Sequence, residues 1–135
     1  MILARISLTI SAFLFSVGPI VVDLSSSHVL NEAWPPHARF HMVWLLAVLA
    51  VAGLATFAGA WLLKADQSRL FRLIILPGWM VLIPFFVAAF TIGAYGGSLS
   101  DMPDAPTVLG IDANIFGFSL SVIFQSVATY SVWHR

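Results

Sequence analysis

Apolar residues dominate four stretches of the chain, and polar residues gather between them. The stretches cover roughly residues 6–22, 42–63, 73–95 and 113–132, and none contains Lys, Arg, Asp or Glu. Each is close to the ~20 residues that a helix needs to cross a ~30 Å hydrocarbon core. Because lipid offers no partner to backbone polar groups, each stretch is expected to be helical. The pattern predicts four transmembrane helices.

The composition excludes several classes of protein. Apolar residues occupy 60 % of the 135 positions and charged residues 9 %, whereas soluble domains carry about 25 % charged residues. The absence of cysteine from the sequence excludes disulfides and thiolate chemistry. The sequence has no basic tract and no glycine-rich phosphate loop, so nothing in it indicates a nucleic-acid or nucleotide partner. We expect an all-α, four-helix transmembrane bundle, one domain over residues 1–135, with membrane lipid as its surroundings.

Charge is divided unevenly between the segments that flank these stretches. One set of flanking segments contains most of the basic residues, namely Arg5, Lys64, Arg69, Arg72 and Arg135. The other set, residues 23–41 and 96–112, contains five of the six acidic residues. Cytoplasmic loops retain Lys and Arg, so the first set is expected inside. This predicts a multi-pass protein of a bacterial inner membrane with both termini cytoplasmic.

Small and polar positions inside the helices predict how the helices pack. The second stretch is rich in Ala and Gly, which allow close approach and favour a central position for it. In the fourth, Asn114, Ser121 and Gln125 follow spacings of 7 and 4 and share one side of a helix. We expect this side to face the interior, where it could supply interhelical hydrogen bonds or contact a ligand.

The segment between the first two helices, read as HVLNEAWPPHARFH, has the most concentrated chemistry. Proline fits the first helical turn, so the second helix is expected to begin near Pro36. His37 and His41 then share a face at i and i+4, followed by Trp44. Three interpretations stay open: a divalent metal site of His28, His37 and His41, a His–carboxylate network, or acid–base catalysis by His37, His41 and Asp23.

Further residues are predicted to complete this site. Arg39 is a natural partner for Asp23 or for an aspartate of the second loop, Asp101 or Asp104. Asp112 is expected to cap the fourth helix instead. Burying any of these groups unpaired would cost about 1–3 kcal/mol, which predicts one connected polar cluster. Candidate ligand-binding residues are Trp34, Arg39, Trp44, Asn114 and Gln125.

The string AWPPHARFHMVW, with Asp23 and His28 in an Asp-x4-His arrangement upstream and GIDAN downstream, resembles a family of small bacterial four-helix membrane proteins. The resemblance covers most of the chain and implies the architecture, but no assigned activity. The general plan is also similar to EXPERA and DoxX-like proteins, at the level of fold alone.

Two functions are compatible with these features. The first is a protein that binds or transforms an apolar small molecule (a lipid, a sterol-like molecule or a quinone) by acid–base chemistry in a pocket beneath the His-rich segment. The second is a non-catalytic accessory subunit of a larger membrane complex, or a homo-oligomer. Transport ranks last, because the predicted spans lack the ionisable residues that ion pathways usually show.

Overall fold

The computed structural model describes residues 1–64, 67–100 and 105–134, and four long helices account for most of them. Each is long and apolar enough to cross a membrane. The first runs over Ile2–Asp23 and consists of α1 (Ile2–Ala12), a π-helical turn (Phe13–Val17) and α2 (Gly18–Asp23). The second is α3 (Pro36–Leu62), and the fourth is α6 (Ala113–Trp133). The third runs over Arg69–Phe90 and includes most of α4 (Ser68–Leu73) and all of α5 (Leu76–Phe90).

Local signals set where two of these helices begin. Pro36 is the first residue of α3, as predicted, and its missing N–H would have had no helical partner there. Asp112 caps α6, also as predicted: its Oδ1 accepts hydrogen bonds from the backbone N–H of Asn114 at 2.8 Å and of Ile115 at 3.3 Å. Pro77 similarly lies in the first turn of α5, whereas Pro84 lies inside that helix.

A small antiparallel hairpin adds to the predicted all-α architecture. Its strands, β1 (Thr107–Val108) and β2 (Ile111–Asp112), pair Thr107 with Asp112 and Val108 with Ile111. Leu109 and Gly110 connect them with φ of 55° and 77°. Positive φ at both central residues is the geometry of a type I′ turn, which matches the twist of the two strands. The hairpin leads directly into α6.

The first helix is the central one, and the expectation that α3 would be central is wrong. The first helix packs against both α3 and α6. A single stripe of α3 is buried, and it consists of Leu46, Leu49, Gly53, Thr56 and Ala60. The close approach expected of small residues does occur, because a Cβ on Gly53 would collide with Ser16. α3 also packs against α5, but the rest of its surface is largely exposed, so its Ala and Gly content reflects these contacts and not a central position.

Arg5 closes the end of the bundle opposite the His-rich segment. Its guanidinium donates to the backbone oxygens of Ala60 at 2.5 Å and Leu63 at 2.8 Å, at the C-terminal end of α3. These carbonyls have no partner within the helix, and a cation there also complements the helix dipole. The same guanidinium lies 5.4 Å from the centre of the Phe71 ring. Arg5 thereby connects the first helix, α3 and α4.

Candidate functional site

A buried group of polar side chains joins the first helix to α6 in the middle of the bundle. Ser11, Ser121 and Gln125 are each 0 % exposed. The Ser11 hydroxyl lies 2.9 Å from Gln125 Oε1 and 3.0 Å from the Ser121 hydroxyl. The interior orientation predicted for Ser121 and Gln125 is confirmed. It is wrong for Asn114, which is exposed at the start of α6 and donates to the Leu99 carbonyl at 3.2 Å.

The contacts of Gln125 favour interhelical hydrogen bonding over ligand contact. Its Nε2 donates to the backbone oxygen of Ile75 at 2.7 Å. Gly78 provides the space for this side chain, since a Cβ there would lie 2.5 Å from Nε2. Thus both polar atoms of the Gln125 side chain have partners inside the protein. A buried amide satisfied in this way holds helices together and has little capacity left for a ligand.

The second candidate region is the segment after α2, which folds through hydrogen bonds between its own backbone groups. The N–H of Val29 donates to the oxygen of Asp23 at 3.1 Å, and that of Leu30 donates to Ser25 at 2.9 Å. In two further turns, the backbone N–H groups of His28 and Asn31 donate to carbonyl oxygens three residues earlier. The Asn31 side chain adds to these turns, because its Oδ1 accepts from the backbone N–H of Ala33 at 3.0 Å. As a result, the segment holds its side chains in fixed positions.

These turns bring Asp23 and His28 together. His28 Nε2 lies 3.7 Å from Asp23 Oδ1, and the two side chains are 30 % and 22 % exposed. The other ring nitrogen, Nδ1, lies 2.9 Å from the Ser27 hydroxyl. That hydroxyl in turn lies 2.7 Å from the hydroxyl of Ser25. A row of exchangeable protons therefore runs from Ser25 through the imidazole towards a half-buried carboxylate.

Trp34 connects this row to the start of α3. Its ring meets the His28 ring edge-on, with centroids 5.4 Å apart. Its backbone oxygen accepts a hydrogen bond from Arg39 Nε at 3.2 Å. Within the described residues Arg39 makes no ion pair with a carboxylate, so the predicted pairing with Asp23 is wrong. The guanidinium instead fixes the backbone at the turn into α3.

His37 and His41 form a second, separate pair. They lie one turn apart in α3, as predicted, with their Nε2 atoms 3.0 Å apart and their rings nearly perpendicular. Both side chains are exposed, and the rings of Phe40 and Trp44 lie beside His41. Two imidazole nitrogens at this separation can both approach one small ion or share one proton.

The predicted single cluster is thus two pairs. His28 lies with Asp23, and His37 lies with His41. Over residues 1–64, 67–100 and 105–134, no three His, Cys, Asp or Glu residues come together, so the predicted three-histidine metal site is not formed. Asp101 and Asp104, two further candidate partners, lie outside the described residues.

The contribution of Ser25 and Ser27 to the site was not predicted from the sequence. The available signal was the run Ser25–Ser27 directly before His28. Short hydroxyl side chains in a turn readily bond to neighbouring side chains and backbone. The run alone does not fix which ring nitrogen faces the carboxylate, because that depends on the turns between Asp23 and Trp34.

Comparison with known proteins gives a family but no activity. A family model described as a family of unknown function (DUF6640) matches residues 7–129. The chain belongs to this family. The match covers most of each of the four long helices and includes Asp23, His28, His37 and His41. No curated protein and no solved structure matches the chain.

Proposed function

We propose that this protein binds an apolar or amphipathic small molecule in the membrane, and that His28 exchanges a proton with it. The observation that carries the proposal is the arrangement of Ser27, His28 and Asp23. In a chain with 9 % charged residues, a half-buried carboxylate and an imidazole lie side by side, and the second ring nitrogen has a hydroxyl partner.

The chemistry follows from the two ring nitrogens. If Nδ1 accepts from the Ser27 hydroxyl, Nε2 carries the proton and faces Asp23. The separation of 3.7 Å is wider than a hydrogen bond, so a polar atom of the ligand lying beside the two groups could bond to both. An imidazole nitrogen can either donate or accept a proton. His28 can thus act as an acid or a base, with Asp23 as its charge partner.

The site is proposed to lie at the outer face of a bacterial inner membrane. The support is the position of Arg5, Lys64, Arg69 and Arg72 at the opposite end of the helices, since basic loops stay in the cytoplasm. Both termini would then be cytoplasmic. A reporter enzyme active only in the periplasm should be inactive when fused after residue 135 and active when inserted in residues 24–33. Activity at the C-terminal fusion would contradict this orientation.

The string from Trp34 to His41 is proposed as the part of the family that defines this site. Trp34 orients the His28 ring, Arg39 fixes the Trp34 backbone, and Trp44 adds an aromatic face at the same end. Similarity to EXPERA or DoxX-like proteins remains a likeness of general plan and supplies no substrate.

Native mass spectrometry of the protein, purified in mild detergent, tests the proposal. We expect a small apolar molecule to be retained by the wild type and lost from His28→Gln and Asp23→Asn. His134→Gln is the matched control, because His134 is exposed beyond α6, where its ring lies against Tyr130. Retention by all variants would contradict the proposal. A stable complex with other polypeptides that forms equally well with His28→Gln would favour an accessory subunit.

A further inference from the structure

A groove of ≈ 410 Å³ runs between the first helix and α3. This volume is within the range of small-molecule sites, which is about 300–1,000 Å³. The first helix contributes six lining residues: Thr9, Ala12, Phe13, Ser16, Val17 and Ile20. From α3 come Ala50, Gly53, Leu54 and Phe57. The lining is apolar and aromatic except for Thr9 and Ser16.

Ser16 is the unusual member of this lining. The residue is 5 % exposed, and its hydroxyl makes no hydrogen bond within the described residues. Thr9, in contrast, donates to the Arg5 oxygen and accepts from Trp61 Nε1. A hydroxyl without a partner in an apolar site costs free energy that a ligand acceptor would recover. Ser16 belongs to the π-helical turn, and such turns frequently occur at functional sites.

The groove continues towards the proposed proton-exchange site. Ile20, at one end of the lining, is three residues before Asp23 in α2 and therefore lies on the same face. Ser16 is seven residues from Asp23, or about 10 Å along the helix axis. A molecule in the groove could thus contact Ser16 with one polar group and direct its opposite end towards Asp23 and His28.

We propose that this groove binds a molecule of the quinone class. The Ser16 hydroxyl donates to one ring carbonyl, and Phe13 and Phe57 flank the ring. A plain acyl chain has no acceptor for Ser16. The ester carbonyls of a bilayer lipid stay near the interface and do not reach a depth of about 10 Å below Asp23. A flat ring with a carbonyl on either side satisfies both the hydroxyl and the aromatic lining.

This inference rests on the proposed function and names its ligand class, in which a hydroxyl of the reduced quinol form carries the proton that His28 exchanges. The probe is a decyl-substituted benzoquinone, and its binding to the detergent-purified protein is followed by quenching of tryptophan fluorescence. Trp61, which donates to the groove residue Thr9, is within reach of such quenching. Ser16→Ala should weaken binding about fivefold, the effect of losing one neutral hydrogen bond. Ser119→Ala is the matched control, because Ser119 lies in α6 away from the groove.

A second pair of variants tests the groove itself. Ala50→Phe places a ring in the cavity and should weaken binding at least tenfold, whereas Ala55→Phe, on the exposed side of α3, should not. Ala50→Leu replaces Ala50→Phe if that variant does not fold. Unchanged binding in the Ala50 variant would overturn the groove assignment. Decylbenzene binding as tightly as the quinone, with no effect of Ser16→Ala, would overturn the ligand class.

These outcomes also separate the inference from the proposed function. His28→Gln tests proton exchange, and the Ser16 and Ala50 variants test where the ligand lies. If His28→Gln abolishes retention of the native ligand while Ala50→Phe leaves it unchanged, the proposed function stands and the groove assignment fails. If the groove variants weaken quinone binding and His28→Gln has no effect on the native ligand, the proposed proton exchange fails.

Discussion

The two polar regions of this protein differ in how completely their groups are paired. In the middle of the bundle, Ser11, Ser121 and Gln125 are fully buried and bond to one another or to backbone. At the end of the bundle, Asp23 and His28 are partly exposed and lie 3.7 Å apart, which is too far for a direct hydrogen bond. A satisfied network specifies a packing arrangement, whereas an incompletely satisfied one retains the capacity to bind. Substitutions in the two regions should therefore affect different properties.

The largest effect is expected from Gly78→Leu, which forces the central region apart. A Cβ at Gly78 lies 2.5 Å from the Gln125 amide, so a leucine cannot fit without moving α6 away from α5. Overpacking of this kind should cost about 3 kcal/mol, measured as reduced stability in a denaturant titration in detergent. Gly117→Leu in α6 is the control, because nothing lies within 4 Å of a Cβ there. Equal stability of both variants would show that this packing is wrong.

Gln125→Leu should have a smaller effect of the same sign. It removes the bond to Ile75 and leaves the Ser11 hydroxyl with Ser121 as its partner. Membrane hydrogen bonds of this kind contribute about 0.6 kcal/mol each on average, so two should amount to about 1 kcal/mol. Ligand retention should be unchanged. Loss of the ligand without a change in stability would indicate that Gln125 belongs to the binding site and not to the packing between helices.

Signals within a few residues of each other made some helix starts and some buried positions predictable from the sequence. Pro36 and Asp112 each act within one turn of the chain, so helix starts could be read directly. Helical spacing also placed Ser121 and Gln125 inside. The same spacing failed for Asn114, which is exposed and donates to the backbone of Leu99 in the loop before α6. Periodicity gives a face, but the length over which that face is covered depends on neighbouring helices.

The remaining features depend on contacts between distant segments. The separation of His28 from His37 and His41 depends on the turns between Asp23 and Trp34. No residue pattern revealed the π-helical turn or the groove beside it. The central position of the first helix likewise depends on how all four helices assemble, and Ala and Gly content in α3 predicted a different answer.

Thr56→Val should increase the stability of the protein, which is the opposite of the effect expected for Gln125→Leu. Thr56 is 0 % exposed, and within the described residues its hydroxyl has no hydrogen-bond partner. Valine has nearly the same shape without the hydroxyl, so the variant should be more stable by about 1 kcal/mol. The same denaturant titration measures it. A loss of stability would indicate that Thr56 has a partner in the membrane, and the distinction between paired and unpaired groups would need revision at this position.

The smallest effect on stability is expected at His37 and His41. Both are exposed, and their shared contact is one pair of ring nitrogens, so His37→Ala and His41→Ala should each change stability by less than about 0.5 kcal/mol. Their Nε2 separation of 3.0 Å nevertheless suits two ligands of one divalent cation. Added Zn²⁺ should raise the melting temperature of the wild type and of His134→Ala, but not of either pair variant, since binding to the folded state alone stabilises it. An equal shift in all four proteins would show that the pair is not the zinc site. A loss of several kcal/mol in the pair variants without zinc would place these histidines with the structural region.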